Sequence, residues 1–424
     1  MENRCAILVV GAGASGMTAA LAARKYLSAN ENGSSVVLLE KNNRVGKKLL
    51  STGNGRCNLS NSDLSPQYFH GDQNFFSRKI IKKRGVDWTI HFFSDLGVEC
   101  IYEKDRLYPF SLHSSSVLDG LRLALSENSI QVETGQNVIK MTREKDHFIV
   151  ETAAGELWRA DALIAACGGA AAPETGSNGD GYVLLQHFSH KLIYPLPSLV
   201  QLKSSESFCK SVSGNKITGI VSLCIDGEKC ISEGIGEILF TDYGLSGPMI
   251  MQLSGQVSRA LHQRKKVEIA VDFLPQFSIE QIDQLLRKRK NDYGHRTLEE
   301  FLTGFFHRRI AYAILKKVIS VPLSTRVKNL TDTDIQQLAL RCKDFYFPIT
   351  DTTGFRNAQT TAGGMDTSSF SSESLASLLV PGLFACGEIL DVDGDCGGYN
   401  LQWAWASGYT AGKSAAEFIR EIYP

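Results

Sequence analysis

The sequence has no excess of either charge and no uninterrupted apolar run at its start. Lys and Arg together number 45, as do Asp and Glu, which gives no electrostatic reason to expect nucleic acid or an anionic membrane surface as the main partner. Three glycines interrupt the apolar start, and no basic segment precedes it, so neither a signal peptide nor a membrane span fits. We therefore expect a cytoplasmic protein with a small-molecule substrate, no nucleic-acid partner and no membrane partner.

Metal and thiol chemistry also have little support in the sequence. The ten cysteines include no Cys-x-x-Cys pair of the kind that binds zinc or forms a dithiol redox centre. The histidines show no spacing typical of a metal site. No tandem repeat or low-complexity tract is evident. We expect no bound metal and mostly reduced, partly buried thiols.

The first forty residues show the pattern of a βαβ unit. A buried strand over residues 6–10 is followed by a glycine-rich turn, an alanine-rich helix over about 17–27 and a second buried strand over 35–40. Strand-then-glycine patterns recur at residues 161–169 and 382–387. The 424-residue length predicts two or three domains, one of them an α/β domain of the Rossmann-like type.

The turn carries a Gly-x-Gly-x-x-Gly motif at Gly11, Gly13 and Gly16. We expect Gly11 to permit a sharp turn, Gly13 to let a pyrophosphate approach the backbone, and Gly16 to let the helix pack on the strand. The start of the helix offers free N–H groups and the positive end of its dipole. Glu40 ends the next strand and can accept hydrogen bonds from adenosine ribose hydroxyls. The motif predicts an ADP-containing dinucleotide, which is either FAD or NAD.

A returning C-terminal segment favours FAD over NAD. Gly387 ends an apolar strand, and the carboxylates of Glu388 and Asp391, which follow it, can reach ribityl hydroxyls. The glycine pair at 397–398 leads into a helix near Tyr399, whose N-terminus can face the flavin N1 and C2 carbonyl. Reduced flavin carries negative charge there, and a helix N-terminus stabilises that charge. A dehydrogenase that uses only NAD needs no such segment.

The region between these segments has a different character. Strands are predicted over 217–225, 236–241 and 266–273, with a hairpin turn at 226–227. Capping-box spacing at Ser278…Gln281, Thr297…Glu300 and Thr333…Gln336 indicates helix starts. We therefore predict that residues 1–193 and 347–424 form the FAD-binding domain. An inserted β-rich substrate or cap domain is expected over 194–275, and an inserted helical domain over 276–346.

Six segments carry a resemblance to a known family. They lie at residues 11–16, 46–58, 179–182, 236–247, 361–364 and 387–403. Together they resemble the BaiN/RdsA-like family of bacterial NAD(P)/FAD-dependent oxidoreductases, to which bile-acid reductases and aminoacetone oxidases are assigned, and the resemblance covers essentially the whole chain. It implies a two-dinucleotide-binding-type FAD fold, with a loop over the pyrophosphate and flavin ring formed by Lys48, Gly53, Asn54, Arg56, Cys57 and Asn58. It also implies a backbone contact between Val138 and adenine.

The expected cofactor site draws on the whole of this pattern. The residues expected to contact FAD are Gly11, Gly13, Ala14, Ser15, Gly16, Glu40, Lys41, Lys48, Gly53, Asn54, Arg56, Cys57, Asn58, Val138, Ala166, Gly168, Gly387, Glu388, Asp391, Gly397, Gly398, Tyr399, Asn400 and Leu401. Trp403 and Trp405, in the helix that follows, are expected to pack beneath the flavin.

The expected reaction is flavin-mediated hydride transfer. Reduced NAD(P)H or the substrate itself supplies the hydride, and the flavin reduces an activated double bond, or oxidises a small amine or ketone with oxygen as acceptor. Tyr108, Asp242 and Tyr399 are the candidate catalytic residues. Two alternatives remain from the sequence: a dehydrogenase that uses only NAD, and a non-catalytic FAD-containing sensor or binding protein.

Overall fold

A computed structural model describes residues 3–27, 35–73 and 75–423, without the side chains of residues 229–232. The helices within these ranges are α1 (Ala14–Tyr26), α2 (Arg78–Lys83), α3 (Val86–Asp95), α4 (Ser114–Glu127), α5 (Asp180–Gln186), α6 (Ser207–Ser211), α7 (Pro248–His262), α8 (Ile279–Asp292), α9 (Leu298–Phe301), α10 (Arg308–Val318), α11 (Asp332–Lys343) and α12 (Tyr399–Ile422). Among these described helices, none combines the length and apolar character that a membrane crossing requires.

The strands of the described ranges are β1 (Asn3–Val10), β2 (Val36–Glu40), β3 (Ser60–Asn61), β4 (Phe69–His70), β5 (Cys100–Glu103), β6 (Arg106–Pro109), β7 (Gln131–Thr134), β8 (Val138–Glu144), β9 (His147–Thr152), β10 (Leu157–Ala165), β11 (Leu192–Ser198), β12 (Leu202–Ser204), β13 (Lys216–Ile225), β14 (Glu228–Phe240), β15 (Gly244–Ser246), β16 (Val267–Asp272), β17 (Phe345–Thr352), β18 (Thr360–Met365), β19 (Leu383–Ala385) and β20 (Asp393–Gly394). The chain divides into two units, Met1–Pro197 with Phe355–Pro424, and Ser198–Gly354.

The first unit is built on a twisted sheet whose centre is parallel. The strands β7, β2, β1 and β10 lie side by side in that order, and β19 pairs in parallel with the end of β10. Strands β9 and β8 extend the sheet in the antiparallel direction from the beginning of β10. Ile7, Leu8 and Val9 have no exposed surface, because β1 is covered on both faces. This arrangement confirms the predicted Rossmann-like fold.

The two ends of the chain meet where α1 packs against α12. A Cβ atom at Gly408 would overlap the backbone carbonyl oxygen of Ser15, and one at Gly412 would overlap that of Ala19. The two helix backbones therefore touch, with no side chain between them at these points. Because Gly408 faces Ser15 and Gly412 faces Ala19, the two helices run in the same direction and the middle of α12 lies beside the start of α1, although the two lie far apart in sequence.

The second unit is a closed six-stranded barrel with attached helices. The strands close in the order β12, β15, β14, β13, β16 and β17. The predicted hairpin turn joins β13 to β14, and its residues Asp226 and Gly227 have φ angles of 52° and 86°, as such two-residue turns require. Helices α8, α10 and α11 share one hydrophobic core with the barrel. The strands and helices that the sequence assigns to two inserted domains thus form one unit. Strand β17 closes the barrel, although the predicted domain boundary at residue 347 falls within it.

Two of the three predicted capping boxes are confirmed and one is wrong. Ser278 with Gln281 caps α8, and Thr297 with Glu300 caps α9. The capping box of α11 is formed by Thr331 with Asp334 instead of the predicted Thr333 with Gln336. Thr333 lies inside the first turn of α11, because the helix begins at Asp332, two residues earlier than the pattern indicates.

The contact between α1 and α12 predicts an unusual response to alanine. In an isolated helix, glycine to alanine is stabilising by about 1 kcal/mol. Gly412→Ala should instead lower the free energy of unfolding by about 1–3 kcal/mol, because the methyl group meets the Ala19 carbonyl. Thermal unfolding of the apoprotein measures this change. Arg420→Ala, at an exposed position of the same helix, is the control, and an equally stable Gly412→Ala variant would contradict the backbone contact.

Candidate functional site

The β1–α1 turn has the geometry expected of its glycines. Gly11 has a φ angle of +105°, and a Cβ atom there would lie 2.5 Å from the Ala166 carbonyl oxygen at the end of β10. A Cβ atom at Gly16 would overlap the carbonyl oxygen of Gly11. The predicted turn role of Gly11 and packing role of Gly16 are therefore confirmed.

Gly13 differs from the other two glycines of the motif, because a side chain at this position would contact no described part of the protein. It is the N-cap of α1, with φ −82° and ψ −168°, and a Cβ atom there would have no described atom within 4 Å. No described side chain caps the first turn of α1, which includes Ala14 and Ser15. The N–H groups of this turn are thus available to an anion, as a bound pyrophosphate requires.

Glu40 lies buried at the end of β2 and supports the same turn. Its carboxylate accepts hydrogen bonds from the Ala12 backbone N–H at 2.9 Å, from the Asn42 backbone N–H at 2.9 Å and from the Asn42 side-chain amide at 2.6 Å. A carboxylate offers about four lone-pair positions, so capacity remains for a ribose hydroxyl. The next residue, Lys41, donates to the side chain of Asn178 at 2.5 Å.

The predicted loop over the cofactor has an unusual backbone. Gly53, Asn54, Gly55 and Cys57 have φ angles of 56°, 55°, 84° and 57°, which places four of five consecutive residues in the left-handed region. For Asn54 and Cys57 this conformation costs energy, and such backbone strain concentrates at ligand-binding sites. The loop is anchored by the bond from the Cys57 N–H to the Thr52 carbonyl at 3.0 Å.

One ion pair connects this loop region to the C-terminal segment. Lys48 Nζ lies 2.7 Å from Glu388 Oε2, and both side chains are about one quarter exposed, at 25% and 21%. The other carboxylate oxygen of Glu388 accepts hydrogen bonds from the N–H and the hydroxyl of Thr361, at 2.9 and 2.8 Å. The structure thus brings together two charged residues that the sequence assigns to the cofactor, 340 positions apart.

The beginning of α12 lies directly against the end of that loop. Gly398 is the N-cap of α12 with φ +102°, and no described side chain caps this helix start. A Cβ atom at Gly398 would overlap the Ser60 carbonyl oxygen and lie 2.7 Å from Asn58 Oδ1. This Asn58 oxygen is buried and has no hydrogen-bond partner among the described residues. An unpartnered buried acceptor beside an uncapped helix start fits a polar heterocycle such as a flavin.

The two tryptophans of α12 hold the surrounding segments together. Trp405 Nε1 donates to the Leu59 carbonyl at 3.1 Å, and Trp403 Nε1 donates to the Gly387 carbonyl at 3.1 Å. Both indoles are almost fully buried. They act as packing residues that fix α12 to Leu59, directly after the 46–58 loop, and to the segment after β19.

Three other C-terminal residues take part in local structure. Tyr399 is buried and its ring stacks on Tyr68 with centroids 4.9 Å apart. Burial, followed by the neighbouring Tyr68 and nearby carboxylates, raises the pKa of the Tyr399 phenol, so it stays protonated. Asn400 closes the preceding loop by donating to the Gly394 carbonyl at 2.7 Å, and Asp391 accepts from the Asp72 N–H at 2.7 Å.

The remaining expected cofactor residues lie along the same edge of the first unit. Ala166 and Gly168 follow β10, Gly387 follows β19 and Gly397 precedes α12, and the three glycines have positive φ angles. Leu401 is half-buried in α12, and Val138 is buried at the beginning of β8. Their contacts with a cofactor stay predictions.

Some expected residues have other partners or lie apart from this cluster. Arg56 forms an ion pair with Glu103 at 2.5 Å, and its guanidinium lies 4.4 Å from the ring centre of Tyr108. Arg56 is thus paired with a carboxylate of the protein, as Lys48 is with Glu388. Asp242 is exposed and belongs to the second unit, whereas Tyr108 and Tyr399 belong to the first.

The cysteines near the site are poor nucleophiles. Burial raises the pKa of the Cys57, Cys167 and Cys386 thiols to about 12, so they stay protonated at neutral pH. Cys230, one of the ten cysteines, has a side chain outside the described residues. In the described ranges no group of three or more His, Cys, Asp and Glu side chains is arranged to hold a metal ion.

Sequence reasoning missed two residues of this cluster. Thr361 and Gly169 lie against Glu388, and neither was assigned a role from the sequence. Their signals were present, because Thr361 begins the Thr-Ala-Gly-Gly segment and Gly169 ends the glycine pair after β10. What the sequence could not indicate is that both contact the same carboxylate.

Comparisons with known proteins identify the family of this chain. The model of the HI0933-like protein Rossmann domain matches residues 5–414. A 3-dehydro-bile acid delta(4,6)-reductase of Clostridium scindens is 36% identical over 96% of this chain and 98% of its own length. Ribosomal RNA dihydrouridine synthases of Haemophilus influenzae and Escherichia coli are 28% and 25% identical, over 96% and 95% of this chain and 97% and 96% of their own lengths. The chain therefore belongs to the HI0933-like family, a family of FAD-dependent oxidoreductases with a Rossmann-type FAD-binding domain.

Proposed function

We propose that the first unit holds FAD between the β1–α1 turn and the beginning of α12, and that the enzyme reduces an activated carbon–carbon double bond of a small molecule. The observation that carries this proposal is that two helix starts of one unit each adjoin a position that the described residues leave unfilled: no described atom lies within 4 Å of a Cβ atom at Gly13, and the buried Asn58 Oδ1 beside Gly398 has no partner. The first suits the pyrophosphate of the ADP half and the second suits the flavin half, so the pair matches FAD and exceeds what FMN needs.

The charges around the site support the same assignment. The ammonium of Lys48 and the start of α1 oppose the two negative charges of a pyrophosphate. The carboxylates of Glu40 and Glu388 are acceptors for ribose and ribityl hydroxyls. At the flavin end, the start of α12 favours the reduced cofactor because it stabilises negative charge that the oxidised ring lacks.

The reaction follows from the cofactor and from the relatives. Bound FAD supplies hydride chemistry: two electrons and a proton pass from a donor to the substrate through the isoalloxazine ring. We propose NADH or NADPH as the donor. The substrate class is a double bond conjugated with a carbonyl group, since the relative of 36% identity is named a reductase of 3-dehydro-bile acid double bonds. Reduction of such a bond adds one hydride and one proton.

We propose Tyr399 as the proton donor. Its pKa is raised by burial, so the phenol is protonated throughout the neutral range. It is the first residue of α12, next to the turn that we assign to the flavin. Tyr108 is less suitable because the Arg56 guanidinium covers its ring, and Asp242 lies in the other unit.

Membership of the family favours an FAD-dependent enzyme over both alternatives that the sequence left, the NAD-only dehydrogenase and the non-catalytic FAD protein. Two relatives are named for dihydrouridine in ribosomal RNA, which is also the product of a double-bond reduction. Uridine-containing RNA is therefore the competing substrate class in the assay below.

The pyrophosphate assignment predicts that a side chain at Gly13 blocks FAD without harming the fold. Gly13→Val should reduce FAD affinity at least about 100-fold, because its methyl groups enter the open space against the turn. Titration of each apoprotein with FAD measures the affinity. Denaturation of the wild-type protein should release FAD and not FMN.

The matched control is Gly85→Val. Gly85 is the N-cap of α3 with φ −80° and ψ −164°, almost the conformation of Gly13, and it also lacks a side-chain cap. Both variants should therefore change apoprotein stability by similar amounts, while only Gly13→Val loses FAD. Equal FAD affinity of the two variants would refute the assignment of the turn.

The reaction proposal is tested without oxygen. NADH or NADPH should bleach the flavin absorbance, and a 3-oxo steroid acid with a conjugated double bond should restore it. The saturated 3-oxo steroid acid is the control and should leave the flavin reduced. If only a uridine-containing ribosomal RNA fragment restored the flavin absorbance, RNA would be the substrate instead. If the absorbance returned only when oxygen was then admitted, the enzyme would be an oxidase.

The proton assignment predicts a separation of turnover from cofactor binding. Tyr399→Phe keeps the stacked ring and removes the hydroxyl, so FAD affinity should stay within about twofold while turnover falls about 10²–10⁴-fold. Tyr68→Phe, which alters the partner ring of the same stack, should retain turnover. A Tyr399→Phe enzyme with wild-type turnover removes Tyr399 from the mechanism.

A further inference from the structure

A single buried hydroxyl joins three separate segments of the first unit. Thr361 in β18 accepts hydrogen bonds at its Oγ1 from the backbone N–H groups of Ala170 and Ala171, at 2.9 and 3.0 Å. The same hydroxyl donates to Glu388 Oε1 at 2.8 Å. One donor and two acceptor positions exhaust the hydrogen-bonding capacity of a hydroxyl, so this group is fully used. It ties β18, the segment after β10 and the segment after β19 to one point.

The bonds from Thr361 determine how the Glu388 carboxylate is oriented. Oε1 of Glu388 accepts hydrogen bonds from both the N–H and the hydroxyl of Thr361. Its other oxygen, Oε2, therefore faces the ammonium of Lys48, 2.7 Å away. Thr361 is 1% exposed, whereas the Lys48 and Glu388 side chains are partly accessible. The hydrogen-bonded Thr361 is therefore buried, whereas the charged groups of Glu388 and Lys48 are partly accessible.

Gly169 closes the same arrangement from the other side. A Cβ atom there would overlap Thr361 Oγ1 and lie 2.7 Å from Glu388 Oε1. Gly169 therefore lies directly against both the Thr361 hydroxyl and the Glu388 carboxylate.

We propose that Thr361 is a positioning residue of the cofactor site. Its hydroxyl orients the carboxylate of Glu388, and through it the ammonium of Lys48, for the ribityl and pyrophosphate groups of FAD. This inference rests on the proposed function, in which Glu388 and Lys48 hold FAD. If the hydroxyl served only to satisfy the N–H groups of Ala170 and Ala171, its loss would lower stability without acting through Glu388.

The direct test is Thr361→Val, which keeps the shape of the side chain and removes the hydroxyl. The FAD dissociation constant of the apoprotein should rise about tenfold or more, because a hydrogen bond to a charged group is lost. Thr361→Ser keeps the hydroxyl and should restore the dissociation constant to within about twofold of wild type. Thr361→Cys, of similar volume with a weak donor, takes the place of the valine variant if that one does not fold.

The matched control removes another buried hydroxyl of the same unit. Thr410 in α12 is 3% exposed and donates to the Ala406 carbonyl at 2.7 Å. Thr410→Val should leave the FAD dissociation constant within about twofold of wild type, whatever its effect on the thermal unfolding midpoint. An equal loss of FAD in both variants would mean that general destabilisation explains the effect, and the proposal would fall.

A double-mutant cycle separates the positioning role from the proposed function. Glu388→Gln alone tests whether Glu388 serves FAD at all, and an unchanged dissociation constant would overturn that assignment and the inference with it. If Glu388→Gln weakens FAD binding, adding Thr361→Val should change the dissociation constant by less than about twofold more. Fully additive losses would show that Thr361 acts independently of Glu388, which overturns the inference and leaves the role of Glu388 intact.

Discussion

The close contact between α1 and α12 is the constraint on which the candidate site depends. Gly408 and Gly412 have no space for side chains against α1, and Gly16 has none against the preceding turn. The N-terminal βαβ unit and the C-terminal helix are thereby held at one edge of the sheet. Because the carboxyl ends of β1, β10 and β19 lie at this edge, the turns after them converge there.

Within this frame, charges are held by backbone groups and by one another. Glu40 is bound to two backbone N–H groups, and Glu388 is bound to Thr361 and Lys48. A partly buried carboxylate needs such partners, since desolvation otherwise disfavours its charged form. The starts of α1 and α12 have no capping side chains in the described structure, so their partial positive charges remain for a ligand.

Local patterns predicted elements well and partners less well. The hairpin at residues 226–227 and the capping boxes of α8 and α9 follow from a few neighbouring residues, and the structure has them. The capping box of α11 was misplaced because Thr331 and Thr333 both precede a suitable residue by three positions. In the structure the Thr331 side chain accepts from the Asp334 N–H and the helix already includes Asp332, so Thr331 is the cap.

The sequence by itself determined the βαβ unit, the dinucleotide turn and the two glycine-rich segments expected to hold FAD, because strand periodicity and the geometry of glycine turns act over a few residues. Tertiary structure alone decided that Arg56 pairs with Glu103, that the strands and helices of 198–354 share one core, and that Thr361 reaches Glu388. These outcomes depend on contacts between residues far apart in the chain. A long-range contact forms where burial and hydrogen bonding are satisfied together, and the spacing of residues along the sequence carries no record of that choice.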